Sequence, residues 1–283
     1  MGWKDARYPM RLMKHWWQGF AGGPDFSRLQ KLTFQLDEFQ LDVTLPYSNI
    51  AAAEPPRLLN IPFRSEGWFE QHAKQQMHNH QVLIHTEGWC YLAPIQRGEN
   101  SEYGVLWLQL ALQKTPEGVN ALNRQQLADY VIAAYEAHYN SDTIGPDGNC
   151  HGLGWNTHQR LRLKQEAEAA ARGTTGRLER PAEDCQLQIE RFGYPSLAPA
   201  EVVSMHGFDW VFYQERKGQD ATHSDIYCLP LDEHFYLTIK FTHRIDKTAE
   251  TAWQKHAQKA QKHILDSLNV SVYANNLQPL LPV

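Results

Sequence analysis

Residues 234–243 read HFYLTIKFTH, and apolar and polar side chains alternate along this stretch without a break. Successive side chains of an extended strand point to opposite faces, so the apolar residues at odd positions, from Phe235 to Phe241, share one face. The alternation predicts a β-strand that buries this face against a core. His234 and His243 lie an odd number of positions apart. They should therefore point to opposite faces, where they cannot bind one metal ion together.

A short polar break, Asp232 and Glu233, separates this strand from the apolar run YCLPL at 227–231. Polar residues between two apolar runs are typical of the turn that joins antiparallel strands, so we expect a hairpin tip here. The alternative is that one of the two carboxylates serves catalysis. Pro230 lacks an N–H group, which favours an edge strand or a strand end and predicts that the hairpin lies near a sheet border.

Other alternating runs predict further strands. Residues 29–45 alternate on either side of Asp37-Glu38, which is the pattern of a hairpin with one buried face. Residues 81–95 suggest two strands, because Glu87-Gly88 carries a turn signal between them. The remaining strands are expected near residues 103–112, 201–205, 208–215 and 225–229.

Three stretches carry the pattern of a helix. The first begins after Asn120 or Asn123, either of which can cap it, and presents one apolar stripe. The second, at 157–172, is charged on most of its surface, and the third spans about residues 248–268 and has an apolar stripe. With the strands, these helices predict an α+β fold in which antiparallel sheets pack against amphipathic helices.

A polar segment at 173–184 divides the chain into an N-terminal α+β half, 1–172, and a C-terminal α+β half, 185–283. The halves either stand apart on this linker or pack into one compact domain. The run VLIHTEGWCYLAPIQRG resembles VVSMHGFDWVFYQERKG in its hydrophobic pattern, with Trp89 opposite Trp210. Two related halves are therefore one hypothesis, and hairpins that arose independently are the other.

Composition excludes several classes of function. The 283 residues have a formal net charge of −5, and no dense cluster of Lys and Arg could follow a phosphate backbone. Direct nucleic-acid binding is therefore not expected. Neither a signal-peptide core nor an apolar run of about 18 residues is present, which predicts a cytoplasmic protein without a membrane span. The four scattered cysteines are expected to be reduced thiols, and no cofactor is expected.

Two groups of residues could still carry chemistry. His78 and His80 have a spacing that puts two imidazoles on one side of an extended chain, which supplies two of the ligands that zinc needs. Cys150 and His158 could meet across a tight loop as a thiol and its base. Either group would indicate a metal-dependent or cysteine hydrolase. We favour the interpretation that these residues are not catalytic and that the protein is not an enzyme, because common catalytic and nucleotide-binding motifs are absent from the sequence.

The C-terminal half orders its elements as a strand, a long hairpin, a strand and a helix that ends in ILDSLNV. Over roughly residues 184–271 this order resembles the sheet-and-helix sandwich of PsbP-like and Mog-type proteins. With its aromatic strands and no export signal, the chain is similar to type VI secretion immunity proteins of the TsiT type, which pair with a restriction-endonuclease-like nuclease toxin. The resemblance implies a cytoplasmic binding protein without an active site, and it assigns no residues.

We therefore expect an immunity protein that neutralises a cognate secreted toxin by covering its active site or an assembly surface. A nuclease has a basic groove for phosphates, which acidic loops suit. An effector-loading chaperone or adaptor, which would need an apolar groove, is the alternative. A homodimer is left open. The carboxylates expected to face the toxin are Asp37, Glu38, Asp42, Asp142, Asp147, Asp232 and Glu233.

Overall fold

The computed structural model describes residues 15–50, 58–76, 81–94, 101–142, 154–173, 193–218, 222–246 and 251–272. The helices in these ranges are α1 (Trp68–Gln75), α2 (Arg124–Asn140), α3 (Trp155–Gly173) and α4 (Thr251–Asp266). The strands are β1 (Ala21–Gly22), β2 (Leu29–Leu36), β3 (Phe39–Pro46), β4 (Asn60–Ile61), β5 (Gln81–Leu92), β6 (Glu102–Lys114), β7 (Glu201–Met205), β8 (Phe208–Arg216), β9 (His223–Pro230), β10 (Phe235–Ile245) and β11 (Asn269–Val272).

The larger sheet has seven strands in the order β1-β5-β6-β10-β9-β8-β7, and every neighbouring pair is antiparallel. β10 is its central strand, and it pairs with β6 on one side along its whole length. The smaller sheet has the order β11-β3-β2-β4, with a parallel pair only between β2 and β4. These sheets and helices confirm the predicted α+β class.

The main core lies where the smaller sheet and α4 pack against one face of the larger sheet. It includes Phe34 of β2, Leu41 of β3, Trp89 of β5, Ile239 of β10 and Ile264 of α4, and all five are at most 2% exposed. Because apolar side chains from both sheets meet in one cluster, burial of this area is the principal force that holds the sheets together.

A second, smaller core lies on the opposite face of the larger sheet, under α2. It joins Leu127 and Val131 of α2 to Ile226, Cys228 and Tyr236 of β9 and β10. The odd-numbered apolar residues of β10 belong to the main core and Tyr236 to this second one, which confirms the predicted alternation. The larger sheet is thus a middle layer that is covered on both faces.

Asn123 caps α2, in agreement with one of the two alternatives that the sequence offered. Its side-chain oxygen accepts hydrogen bonds from the N–H groups of Gln125 and Gln126, which have no partner inside the helix. Just before this cap, the N–H of Ala121 donates to the carbonyl of Glu233 at 2.8 Å. The start of α2 is therefore fixed to the turn between β9 and β10.

The turn predicted at Glu87-Gly88 is wrong, because β5 continues through it from Gln81 to Leu92. Gly88 is needed for close packing instead. A Cβ atom at this position would lie 2.6 Å from the indole ring of Trp107, which covers the strand. The predicted sheet border near Pro230 is also wrong, since β9 lies between β8 and β10. Pro230 is tolerated there because it is the last residue of β9.

The two sequence halves share the larger sheet, because β6 pairs with β10. α2 follows β6 and packs on one face of this sheet, whereas α4 follows β10 and packs on the other. The hypothesis of two related halves stays a prediction. Apart from Gly173, the expected linker at 173–184 lies outside the described residues.

Among the described residues, no helix combines the length and the apolar content needed to cross a bilayer. Cys90 and Cys228 are free thiols. Burial raises the pKa of both thiols, and it does so most for Cys228, which is fully enclosed by the second core.

Candidate functional site

Two hairpin turns meet at one end of the fold around the side chain of Arg64. Nη1 of Arg64 lies 2.5 Å from a carboxylate oxygen of Glu38, in the β2–β3 turn, and Nε lies 3.1 Å from one of Asp232, in the β9–β10 turn. The backbone N–H of Arg64 donates to Asp37 at 2.9 Å. We name this group, together with Glu233, the acidic tip.

Local hydrogen bonds fix the shape of both turns. Asp37 has a positive φ of 48°, a conformation that aspartate tolerates better than most residues and that closes the two-residue turn. One carboxylate oxygen of Asp232 accepts from the N–H groups of His234 and Phe235, both at 2.8 Å. The other oxygen remains for Arg64. The carboxylates are therefore held in place by the strands behind them.

The acidic tip is strongly negative. The group contains four carboxylates and one guanidinium, which contacts two of them, so its net formal charge is −3. Glu233 is exposed, and Asp37, Glu38 and Asp232 are half-buried. The sequence identified all four acids separately, and the structure brings them together, because the turns of the two sheets lie at the same end.

The other three predicted carboxylates do not join the tip. Asp42 is only 8% exposed, and its carboxylate bonds to Thr33 at 2.6 Å, Gln40 at 3.2 Å and Lys31 at 3.3 Å. The hydrogen bond from Thr33 is the main cause that lowers the pKa of Asp42. Because these neighbouring groups occupy its carboxylate, Asp42 stabilises the β2–β3 hairpin. Asp142 is exposed but lies beyond the far end of α2, whose 17 residues span about 25 Å from the start that is fixed to the β9–β10 turn. Asp147 lies outside the described residues.

Most of the predicted metal-binding and nucleophilic residues lie outside the part of the chain that the structure describes. His78, His80 and Cys150 lie outside the described residues, and His158 is half-buried in α3. His85 is fully buried, with Nε2 at 3.4 Å from the carboxylate of Glu87. This distance is within the range of an ion pair, but it is not a hydrogen bond, and both ring nitrogens lack a hydrogen-bond partner among the described residues.

A cluster that the sequence analysis did not predict lies on the α4 face of β9 and β10. His223 and His243 are directly opposite each other in the strand register, and their rings stack with centroids 4.6 Å apart and planes within 8°. Asp225 lies two positions from His223, on the same side of β9. One donor atom from each of the three residues lies within 4.8 Å of the other two.

Two glutamine side chains orient this cluster. The carboxylate of Asp225 accepts from Gln214 at 2.8 Å and from Nε2 of Gln261 at 2.7 Å. A carboxylate only accepts here, so the amide oxygen of Gln261 faces His243, whose Nε2 lies 2.5 Å away and must carry the proton. His243 is 2% exposed, and burial lowers its pKa, which favours the neutral ring.

The cluster borders a groove of about 630 Å³ between the sheet and α4, with His223, Asp225 and Gln261 among its lining residues. A second groove of about 590 Å³ lies between α2 and the opposite face of the sheet. The ion pair of Lys240 and Glu215, at 2.6 Å, lies on its wall. Both grooves have mixed polar and apolar walls, so neither is the apolar groove that a chaperone of hydrophobic segments requires.

Known proteins give little guidance about this chain. No family model matches it, and no curated protein matches it. One solved structure that the comparison found is that of LpqN, which is involved in cell envelope biogenesis of Mycobacterium tuberculosis. It is 9% identical in sequence and has a TM-score of 0.28, over 89% of this chain and 91% of that chain. A likeness at this TM-score supports no conclusion about the fold or function of this chain.

Proposed function

We propose that the protein is an immunity protein, which binds a cognate secreted toxin through the acidic tip and covers the active site or an assembly surface of that toxin. The toxin proposed is a nuclease, whose phosphate-binding groove is basic. The action is stoichiometric binding in the cytoplasm, without a catalysed reaction and without direct contact to nucleic acid. The observation that supports this proposal is the convergence of Asp37, Glu38, Asp232 and Glu233 at one end of the fold.

The geometry of the tip suits a protein partner. Its acids stand on turns whose backbones are fixed by hydrogen bonds, so binding would cost little ordering of the loops. The net formal charge of −3 on this group also creates a local field that attracts a basic surface during encounter. Arg64 keeps the carboxylates of the two turns close together in spite of their mutual repulsion.

The experiment takes the product of the neighbouring gene as the candidate toxin. A toxin-sensitive bacterium expresses that toxin together with the wild-type protein or a variant, and survival is measured. The association rate of the purified proteins is then measured at about 50 mM and about 300 mM salt, because screening weakens attraction between separated charges. The test variant is Glu233→Lys, since Glu233 is exposed and its side chain has no ion pair with a described residue.

The matched control is Asp142→Lys, which makes the same change in net charge on an exposed residue far from the tip. We expect Glu233→Lys to slow association about tenfold and to reduce its salt dependence, and Asp142→Lys to leave both nearly unchanged. If the wild-type protein gives no protection, the toxin assignment is wrong. If it protects but the two variants behave alike, the partner does not bind at the tip.

A further inference from the structure

We infer that His223, Asp225 and His243 form a binding site for a divalent transition-metal ion, for which Zn²⁺ is the best match. This inference is independent of the proposed binding of a toxin, because the cluster lies on the α4 face of the sheet and not at the acidic tip. Two imidazoles and one carboxylate are a donor set that suits zinc and its neighbours among the transition metals. Ca²⁺ and Mg²⁺ prefer oxygen donors only.

The first argument is the strand register. His223 and His243 are a direct cross-strand pair, and Asp225 is two residues along β9, so all three side chains leave the sheet on the same face. Their donor atoms already lie within 4.8 Å of one another. The backbone of two paired interior strands holds these positions, and such a frame keeps ligands in place better than a loop does.

The second argument is the set of hydrogen bonds around the ligands. A histidine that binds a metal usually donates its other N–H group to an oxygen atom, and a carboxylate ligand usually accepts additional hydrogen bonds. His243 donates Nε2–H to Gln261, which leaves the lone pair on Nδ1, and Asp225 accepts from Gln261 and Gln214. Gln261 thus orients two ligands at once and is a positioning residue of the site.

Bond lengths define the movement that binding requires. Zinc binds nitrogen at about 2.0–2.1 Å, so two nitrogen ligands of one tetrahedral ion lie about 3.4 Å apart. Donor atoms separated by the observed limit of 4.8 Å must therefore approach each other by roughly 1.4 Å. The stacked rings must also tilt, because a nitrogen lone pair lies in the plane of its ring. His223 is half-buried and is the first residue of β9, so we assign this rotation to His223, while Gln261 holds His243.

Access to the site is open. His223 and Asp225 line the groove of about 630 Å³, so an ion can reach them from solvent. Three protein ligands leave at least one position of a tetrahedral ion unfilled. That position would be taken by water or by a small anionic group in the groove.

The test is metal binding by the full-length protein. After treatment with a chelator, the protein is titrated with Zn²⁺ in a calorimeter, and Co²⁺ is added as a probe whose absorbance reports coordination by nitrogen and oxygen. The chain has 14 histidines, and others can bind metal weakly. The criterion is therefore the loss of one equivalent in His223→Ala and in Asp225→Asn. The control is His263→Asn, which replaces an exposed histidine of α4.

We expect one Zn²⁺ equivalent in the wild type and in the control, and the loss of that equivalent in the two ligand variants. Gln261→Ala keeps all three ligands and should weaken binding by about 10- to 100-fold, with the stoichiometry unchanged. Thermal unfolding of each metal-free variant distinguishes a lost site from a lost fold. The inference is overturned if the wild type binds no saturable equivalent, or if folded His223→Ala keeps it.

Discussion

Glu38 and Asp232 belong to different sheets, yet both bind the guanidinium of Arg64. Glu38 follows β2 in the smaller sheet, and Asp232 follows β9 in the larger one. Arg64 therefore connects the turns of the two layers. The guanidinium of Arg64 also lies over the ring of Phe63, 5.3 Å from the ring centroid, and this contact helps to fix its position.

Replacement of Arg64 should weaken this connection modestly. The Arg64 side chain is 44% exposed, and exposed ion pairs contribute about 0.2–1 kcal/mol each, so we expect Arg64→Gln to lower the free energy of unfolding by about 1 kcal/mol. The loss should shrink at high salt, since screening weakens the pairs in the wild type. Urea denaturation at two salt concentrations measures both effects. Lys262→Gln, which breaks an exposed pair within α4, is the control and should cost less.

Asp42 should make the stability of the protein depend on pH in the acid range. The pKa of Asp42 is lowered in the folded state, mainly by the hydrogen bond from Thr33, so its stabilisation is complete above the unfolded pKa of about 3.9. It is then lost as the pH falls through the folded pKa. We expect the wild type to be about 1–3 kcal/mol more stable than Asp42→Asn at pH 6, with the difference decreasing below about pH 4.

The measurement for Asp42 is the free energy of unfolding of both proteins from about pH 6 to about pH 2.5. Thr33→Val provides a second check, because removal of the main hydrogen bond should raise the folded pKa of Asp42 and shift the loss of stability to higher pH. A constant difference between wild type and Asp42→Asn across this range would show that the carboxylate is not selectively stabilised by folding.

Gly104 should not tolerate a methyl group. A Cβ atom at this position would collide with the indole of Trp253 and with the carbonyl oxygen of Arg244. Overpacking of a buried site costs about 1–3 kcal/mol, and we expect Gly104→Ala to lower the free energy of unfolding by this amount. In a Trp253→Leu background the additional cost should be smaller, although contact with the Arg244 carbonyl remains. A double-mutant cycle in urea measures the coupling, and simple additivity would contradict the packing explanation.

His85 and His243 are both buried histidines, but they should respond differently to leucine. His85 has no hydrogen-bond partner among the described residues, and the nearby carboxylate of Glu87 keeps its hydrogen bond from Gln30 when His85 is replaced. His85→Leu therefore removes unsatisfied polar atoms and should leave stability within about 1 kcal/mol of the wild type or raise it. His243 bonds to Gln261, so His243→Leu leaves a buried amide oxygen unpaired and should cost about 1–3 kcal/mol. Chemical denaturation compares the two, and equal losses would contradict this distinction.

Local sequence signals predicted the elements whose causes are local. The alternation in residues 234–243 is sufficient for β10 because it needs only the two-residue repeat of a strand, and Asn123 is sufficient for the start of α2 because a cap acts on the next turn. The turn predicted at Glu87-Gly88 is wrong because Gly88 makes room for the ring of Trp107, which comes from the neighbouring strand. Short elements such as β4 and β11 carry too few residues to show a repeat.

The two candidate sites depend on tertiary relationships that the sequence does not contain. Parity placed His243 on the buried face of β10, but its partner depends on the register of β9. A shift of one residue in that hairpin would turn His223 to the opposite face, so the cluster could not be predicted without the register. The acidic tip similarly required Arg64, whose loop showed no regular pattern and whose two partners come from separate hairpins.

The central position of β10 also has a consequence for synthesis on the ribosome. β6 is complete at Lys114, but its neighbour β10 begins only at Phe235, so about 120 residues must be translated before the pair can form. At roughly 10 residues per second, the edge of β6 stays unpaired on the nascent chain for about 10 seconds. That interval is when the protein is most exposed to aggregation, and variants that expose this edge longer should depend most on chaperones.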